Sequence, residues 1–537
     1  MRLKADLVLS GGHILTMAEE GPASVEAAAV FGGRIVATGT SEELQPLIGN
    51  DTRVTDLGGL TAVPGFNESH SHLVSAGKIV KGVDLYDARS IRDIRDKVAA
   101  AASRAQPGEW IEGVGWFEGL LEERRFPTRW DLDDVSPDNP VILSRIYMMD
   151  VINSRALEMT GINRHTPDPV RGKIDRDPSS GEPTGLLRED AKRRVRDIMP
   201  PETTADIEAL IEAAIPEYLS FGVTSVLDPG VTPDMIRAYQ NVYRRGNLSV
   251  RVNLMPDFRD QYLALRERRL DHMGISSGFG NQYLSLGAAK LSLDGGLYSK
   301  TADLNEPYVD PTDVRTLDRI PLEELEDIIF DLHHRGWCIG VHACGDRAQD
   351  LIIDAYARAF ERQPRTDVRH HLVHGYFPTP GAIQLMARHN IIANAQPAFI
   401  YVEGDLCEKY VGKARSRYFT PLRTLRDAGI VVAINSDVPT APTVNPMLGI
   451  YSAVTRNTMG GITLGDEEKV SALEAVEMYT AAGAQVTMEE NEKGRLVPGM
   501  LADIAVLDRN PLVIDPEELL DVQCLMTVLG GKVVYEA

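Results

Sequence analysis

Short apolar segments recur through the middle of the chain, and stretches with the apolar spacing of helices separate the later ones. Several of these segments are almost continuously apolar and rich in β-branched residues, as expected for parallel strands that are buried on both faces. The segments that we predict as strands are 60–66, 222–228, 248–255, 284–293, 336–343, 369–375, 391–396 and 430–436. Eight strands that alternate with helices predict an α/β fold, a (β/α)8 barrel of the TIM type.

The two ends of the chain have a different pattern. Near the start, ADLVLSGGHIL and AAAVFGGRIVATG are short β-rich runs that pairs of glycine interrupt, and GRLVPGMLADIAVLD and CLMTVLGGKVVYEA near the end are of the same kind. Such runs are typical of hairpins. We predict that residues 1–60 and 490–537 pair into one composite β-sandwich domain. Two unrelated surface hairpins are the alternative.

The interval between the first and second predicted strands is much longer than one crossover helix requires. We therefore predict that residues 78–205 are an insertion in a metal-binding barrel that spans 61–489. Because this insertion leaves the carboxyl end of the first strand, it should lie over the mouth of the barrel, where it can form one wall of a substrate pocket.

Charge and cysteine content narrow the function classes. The chain has 56 basic and 78 acidic residues, a net charge of −22, which disfavours nucleic acid and anionic membranes as partners. The N-terminus lacks the apolar region of a signal peptide, and no 18-residue apolar run occurs. Cys338, Cys344, Cys407 and Cys524 show no CxxC spacing. We expect a cytoplasmic protein with a small-molecule substrate, either a monomer or a homodimer.

Residues that can bind metals follow four of the predicted strands. His70 and His72 come after the first strand, and their spacing places both imidazoles on one side of an extended chain. His342, His374 and Asp437 stand at the ends of the fifth, sixth and eighth strands. A single histidine in such a place is more often structural than a ligand. Four strands that present ligand-type residues at their carboxyl ends favour a metal centre, because barrel enzymes place their chemistry there.

The segments PGFNESHSH, VHACGD, RHHLVH and NSDVP resemble the signatures of the amidohydrolase superfamily. The chain is most similar to the branch that includes N-substituted formamide deformylase and the exoenzyme regulatory protein-like hydrolases. That resemblance rests on PVILSR followed by NSRAL, GEPTGLLRED, GAAKLSLDGGLYSKTADLNEPY and KGRLVPGMLADIAVLDRNP. It implies a metal-dependent hydrolase that cleaves a carbon–nitrogen bond other than a peptide bond, here an N-acyl or N-formyl bond, with metal-activated water.

Lys290 lies inside the apolar strand GAAKLSL, where an ammonium without a partner is costly. It could pair with a carboxylate such as Asp294 or extend to the surface. The resemblance implies instead that CO2 carboxylates Lys290 and that the carbamate bridges two divalent ions, with zinc the metal we expect.

The same resemblance implies the ligands of this binuclear metal centre. His70, His72, Lys290 and Asp437 would hold one ion, and Lys290, His342 and His374 the other. Asp437 would also be the catalytic base, and a helix N-cap is its structural alternative.

The sequence differs from those of its relatives at positions that the resemblance places near the substrate. Relatives carry a Gly-His pair where this chain has IYMMDVINS, and Val373 replaces the glutamate common before the His of the sixth strand. Candidate substrate contacts are Trp116, Met148, Met149 and Asp294.

Three other functions remain alternatives. A barrel deaminase would carry a glutamate where this chain has Gly345. A non-catalytic scaffold on the same fold would usually have lost ligands. A metal-dependent isomerase or decarboxylase has no distinguishing signal in the sequence.

Overall fold

The computed structural model describes residues 3–145, 149–170, 172–258, 274–310, 320 and 322–537, and every structural statement concerns these residues. Met148 lies outside them. No helix in this part of the chain is both long enough and apolar enough to cross a membrane.

Parallel strands form the centre of the molecule in two arcs. The first arc has the order Leu284–Leu286, Arg251–Pro256, Val223–Val231, Phe66–Glu68, and the second has the order Ala289–Ser292, Ile339–Ala343, His371–His374, Ile392–Ala395, Val432–Ile434. Every segment that we predicted from 222 onwards overlaps at least one of these strands. The fold is α/β and TIM-barrel-like.

Hydrogen bonds connect the two arcs on both sides without joining them into one continuous sheet. At one join, the Phe258 N–H donates to the Lys290 carbonyl oxygen (2.9 Å), and at the other the Asp437 N–H donates to that of His70 (3.0 Å). The predicted strand 284–293 is interrupted at Gly287, where a Cβ atom would lie 1.8 Å from the Asn253 side-chain oxygen. The predicted closed ring is therefore two arcs that face each other.

Helices follow the strands and pack against them. Several begin at a Thr or Ser whose side-chain oxygen accepts a main-chain N–H, as Thr203, Thr379 and Ser471 do. The helices of this layer are Leu73–Lys81, Thr204–Ser220, Pro233–Arg244, Leu322–His334, Asp346–Arg362, Pro380–His389, Ala398–Val411, Lys413–Ser416, Leu422–Asp427, Pro446–Thr455, Ala472–Tyr479 and Ala481–Val486.

Both ends of the chain contribute to a pair of smaller sheets. One has the order Arg34–Gly39, Ala27–Phe31, Leu7–Ser10, Arg53–Asp56, and the other has Lys532–Glu536, Cys524–Leu529, Ile504–Leu507, Thr61–Pro64, His13–Leu15, Ser24–Val25. Side chains from both sheets, including Leu9, Val30 and Ile504, share one apolar cluster.

The first predicted strand, 60–66, is divided between two sheets. Thr61–Pro64 pairs antiparallel with Ile504–Leu507, and the barrel strand begins only at Phe66. The cause is the apolar run itself, which is long enough to serve both sheets in succession. The barrel therefore starts a few residues later than the predicted boundary at 61.

The segment predicted as an insertion forms a sheet with its own apolar core. The strand order is Gly172–Arg176, Pro183–Glu189, Met149–Ile152, Val141–Arg145, Ile111–Val114, Val83–Asp84. Helices Ile91–Ala102, Arg129–Leu132, Ser154–Thr160 and Arg193–Arg196 accompany it. Leu85, Ile94, Leu143 and Val151 are among the residues that fill the core.

Candidate metal centre

His70, His72 and Asp437 form the first group of candidate ligands. The two histidines follow the barrel strand Phe66–Glu68, and Asp437 follows Val432–Ile434. The His72 Nε2 atom is 3.3 Å from Asp437 Oδ1, and the His70 Nε2 atom is 3.9 Å from the same oxygen. One ion placed among these atoms could bind all three side chains.

Lys290 lies against this first group. Its Nζ atom is 3.2 Å from His70 Nε2, and its side chain is buried at the wall of a cavity. Nitrogen atoms that share one zinc ion at ordinary bond lengths of about 2.0–2.1 Å are separated by about this distance. The position of Lys290 therefore suits a group that takes part in metal binding.

His342, Cys344 and His374 form the second group. Their candidate ligand atoms all lie within 4.8 Å of one another, and the rings of His342 and His374 are 4.4 Å apart between centroids. We did not predict Cys344 as a site residue. The signal was present in VHACGD, because Cys344 stands two residues after His342 and so lies on the same side of an extended chain.

Neighbouring amides fix the orientation of His374. Its Nδ1 atom is 2.8 Å from Gln396 Oε1, while Gln396 Nε2 donates to the Asn394 carbonyl oxygen (3.2 Å) and to Asn435 Oδ1 (3.1 Å). Because an amide oxygen can only accept, Nδ1 of His374 carries the proton. Its Nε2 atom is then left with a lone pair, as a metal ligand requires.

Burial keeps the imidazoles neutral. Desolvation lowers the pKa of His70 well below its usual range and the pKa of His374 to about 4, and the charge of the nearby Lys290 contributes to both shifts. A neutral imidazole is the form that binds metal, so no proton has to be displaced from these rings at neutral pH.

The backbone is strained at two of the candidate ligands. His374 has a φ of +78° and Asp437 a φ of +52°, which is the left-handed region. Such a conformation costs on the order of 1–3 kcal/mol and is concentrated at functional sites. The neighbouring Ser436 helps to hold the strained conformation of Asp437. The N–H and the hydroxyl of Ser436 donate to the buried Glu68 carboxylate at 3.0 and 2.9 Å.

Both groups open into one cavity of about 490 Å³, a volume typical of small-molecule sites. The candidate metal ligands line this cavity, and Tyr298, Tyr376 and Phe399 add aromatic surface. Charged residues at the end of the insertion form part of its wall: Glu189, Asp190, Lys192, Arg193 and Arg196. Sequence reasoning missed these five, although they form one charged run in LREDAKRRVR.

Of the predicted substrate contacts, the structure describes Trp116, Met149 and Asp294, and none of these three lines the cavity. Trp116 is fully buried in the core of the insertion, where its indole N–H donates to the Leu143 carbonyl oxygen (3.0 Å), and Met149 is buried in the same core. Asp294 is buried and accepts the N–H groups of Cys344 and Gly345, so it shapes the loop that carries Cys344. The insertion needs its large apolar side chains for its own core, which is why Trp116 and Met149 do not line the cavity.

Barrel-like strands that bring histidine, aspartate and lysine side chains together at one cavity are typical of metal-dependent hydrolases. The model of the amidohydrolase family matches residues 53–535. The chain therefore belongs to the amidohydrolase family, and the predicted resemblance and enzyme class, a metal-dependent hydrolase of carbon–nitrogen bonds, are confirmed.

Individual relatives are similar over almost the whole chain. A Bacillus subtilis protein named as amidohydrolase YtcJ is 32% identical over 98% of both chains. N-substituted formamide deformylase of Arthrobacter pascens is 29% identical over 99% of this chain and 98% of its own. The crystal structure of an uncharacterized metal-dependent hydrolase from Pyrococcus horikoshii superposes with a TM-score of 0.76 at 26% identity, covering 95% of this chain and 99% of that one.

Proposed function

We propose that this protein hydrolyses an amide-type carbon–nitrogen bond, N-acyl or N-formyl, in a small molecule, with water activated at a binuclear metal centre. The observation that carries the proposal is the pair of ligand groups, His70–His72–Asp437 and His342–His374, at the floor of one cavity with Lys290 beside them. The similarity to N-substituted formamide deformylase supports this bond type.

The residues present fit two divalent ions, with zinc our proposed metal. His70, His72 and Asp437 would hold the first and His342 and His374 the second, and Lys290, as a CO2-derived carbamate, would bridge them. Carboxylation would replace a buried cation by an anionic ligand, which removes the cost of an ammonium among neutral imidazoles. When bound, such ions lower the pKa of water and polarise a carbonyl group.

Asp437 is the proposed general base. Its Oδ1 atom is buried near His70 and His72, and among the described residues it accepts no hydrogen bond. This oxygen can accept a proton from the attacking water and deliver it to the leaving nitrogen. Glu68 is a positioning residue in this scheme, because it holds the main chain at Ser436, next to the base.

The structure disfavours the deaminase alternative. A deaminase of this fold would need a glutamate at position 345, but a Cβ atom on Gly345 would lie 1.9 Å from the Asp303 carbonyl oxygen. The packing of two main-chain segments therefore leaves no space for any side chain there. The scaffold alternative is disfavoured because both ligand groups are retained.

The test is a hydrolysis screen with matched histidine variants. Protein loaded with zinc in the presence of bicarbonate should release an amine from one or more N-formyl or N-acyl compounds. His72→Ala should lose this activity, whereas His389→Ala, whose ring stacks on Phe360 away from the cavity, should keep it. Hydrolysis that is equally fast after complete removal of metal would contradict the proposal.

We further propose a cytoplasmic location and a small molecule as the substrate. All four cysteines are buried and free, which suits a reducing compartment.

A further inference from the structure

The side chain of Cys344 faces the metal centre. Its Sγ atom is 3.5 Å from His342 Nε2, and Cys344 lines the cavity together with His342 and His374. Cys344 follows the strand Ile339–Ala343 directly, so its position is fixed by the same strand that places His342. Asp294 accepts the Cys344 N–H at 3.0 Å, which holds this turn in place.

The distance between sulfur and nitrogen matches that of two ligands on one ion. Zinc binds thiolate sulfur at about 2.3 Å and imidazole nitrogen at about 2.0–2.1 Å, so tetrahedral geometry separates the two ligand atoms by about 3.5 Å. The observed separation of Sγ and Nε2 is 3.5 Å. His374 supplies a third ligand atom within 4.8 Å of both.

The contacts of the other three cysteine thiols can be compared with those of Cys344. Cys338 Sγ accepts the Arg369 N–H (3.0 Å), and Cys524 Sγ donates to the Met526 carbonyl oxygen (3.4 Å). Cys407 is buried in an apolar cluster to which Cys344 also belongs. Cys344 differs from the other three because its thiol also lies beside the imidazoles of His342 and His374 in the cavity wall.

We propose that Cys344 is a thiolate ligand of the second metal position, together with His342 and His374. This inference rests on the proposed function, and it changes the character of that position. On binding, the thiol proton is released to solvent and the sulfur–metal bond forms, so the ion gains a soft anionic ligand. Two imidazoles and one thiolate beside the bridging carbamate would favour zinc or cobalt over magnesium or manganese at this position.

Cobalt substitution tests the proposal directly. Metal-free protein titrated with Co²⁺ should develop a near-ultraviolet thiolate-to-cobalt charge-transfer band as the second ion binds. Cys344→Ser should lose the band and bind the second ion at least about 10-fold more weakly. Cys524→Ser, far from the cavity, should keep both. Two bound cobalt ions without the band in the wild type would overturn the inference and leave the proposed function intact.

Thiol protection supplies a second readout in the unaltered chain. Iodoacetamide should alkylate Cys344 in metal-free protein, because this side chain lines the cavity, and zinc should slow that reaction at least about 10-fold. Peptide mass spectrometry measures the modification at each cysteine. Equal rates of alkylation at Cys344 with and without zinc would overturn the inference. A protein that binds neither zinc nor cobalt would contradict the proposed function as well.

Discussion

Two clusters of buried histidines lie at opposite ends of the same barrel strands, and only one has the properties of a metal centre. At the amino ends, the Ile339 N–H donates to His370 Nδ1 (3.2 Å), so the proton of His370 is on Nε2. Nε2 of His370 then donates to His333 Nδ1 (2.9 Å), and His333 Nε2 donates to the Gln363 carbonyl oxygen (2.7 Å). Each ring nitrogen of His370 and His333 therefore has a hydrogen-bond partner within the protein.

At the carboxyl ends the histidine side chains converge on one another and on Lys290 and Asp437 instead, and His342 Nε2 also lies 3.1 Å from the Gly295 carbonyl oxygen. His70 Nε2 faces Lys290 Nζ and Asp437 Oδ1, and the His342 ring lies edge-to-face against His374. His370 and His374 are only four residues apart, yet one completes a hydrogen-bond chain and the other leaves a lone pair for a ligand. Burial of histidine alone therefore does not identify a metal site, whereas the convergence of several ligand-type atoms on one cavity favours one.

Among the variants that we consider, substitution of Asp437 in the carboxyl-end cluster should have the largest effect, and this effect should be on turnover. Asp437→Asn is nearly isosteric and retains an oxygen for a metal, but the amide cannot accept the proton of water. We expect turnover to fall about 10²–10⁴-fold with little change in KM. Steady-state kinetics on a hydrolysed substrate checks this, with metal analysis as the control for folding. Turnover within a few-fold of wild type would mean that another group is the base.

Substitution of Lys290 tests whether a carbamate on this residue bridges the two ligand groups. Lys290→Ala should lose bound metal and activity together, because the proposed anionic bridge is gone. Small carboxylic acids should restore part of both, since they can occupy the space of the carbamate. A Lys290→Ala protein that binds metal as the wild type does would refute the bridge, and so would an unmodified lysine in protein prepared with bicarbonate.

Gln396 tests how the orientation of His374 is maintained. Gln396→Leu removes the acceptor for the Nδ1–H group and should weaken metal binding about 10–100-fold. Gln396→Glu retains both the shape and the acceptor of the native side chain and should keep most of the affinity. Competition with a chromophoric chelator measures both variants.

The smallest expected effect is on the free energy of unfolding and its pH dependence, and it involves the buried histidines at the amino ends of the strands. Burial lowers the pKa of His370 well below its usual range and that of His371 to about 4. Because the folded values lie below the unfolded value of about 6.5, their stabilisation is complete above pH 6.5 and is lost as the pH falls towards 4.

Substitution of His370 isolates part of this effect. His370→Gln should reduce the free energy of unfolding by about 1–3 kcal/mol at pH 7, because it breaks a buried hydrogen-bond chain. The decrease in stability between pH 6.5 and 4 should become shallower. Urea unfolding of metal-free protein at several pH values checks both points. An unchanged slope would show that His370 is not neutral in the folded protein.

The sequence predicted the structure best where an apolar strand pattern is followed by residues that can bind a metal. The apolar segments predicted the barrel strands from residue 222 onwards, and ligand-type residues at their ends predicted which side chains converge at the cavity. The first strand was misplaced because one apolar run, from Thr61 to Phe66, serves two sheets. Trp116 and Met149 could not be assigned to the insertion core without knowing that the insertion forms a sheet of its own. Cys344 was missed because a single cysteine carries little information until its neighbours are known.

Metal analysis of two variants on one strand tests the central claim most directly. Wild type, His374→Gln and His370→Gln are purified in parallel, loaded with zinc and bicarbonate, and measured by inductively coupled plasma mass spectrometry. We predict that His374→Gln loses at least one of the two ions, while His370→Gln retains as many as the wild type. Equal metal content in the two variants would contradict the assignment of the carboxyl-end cluster as the metal centre.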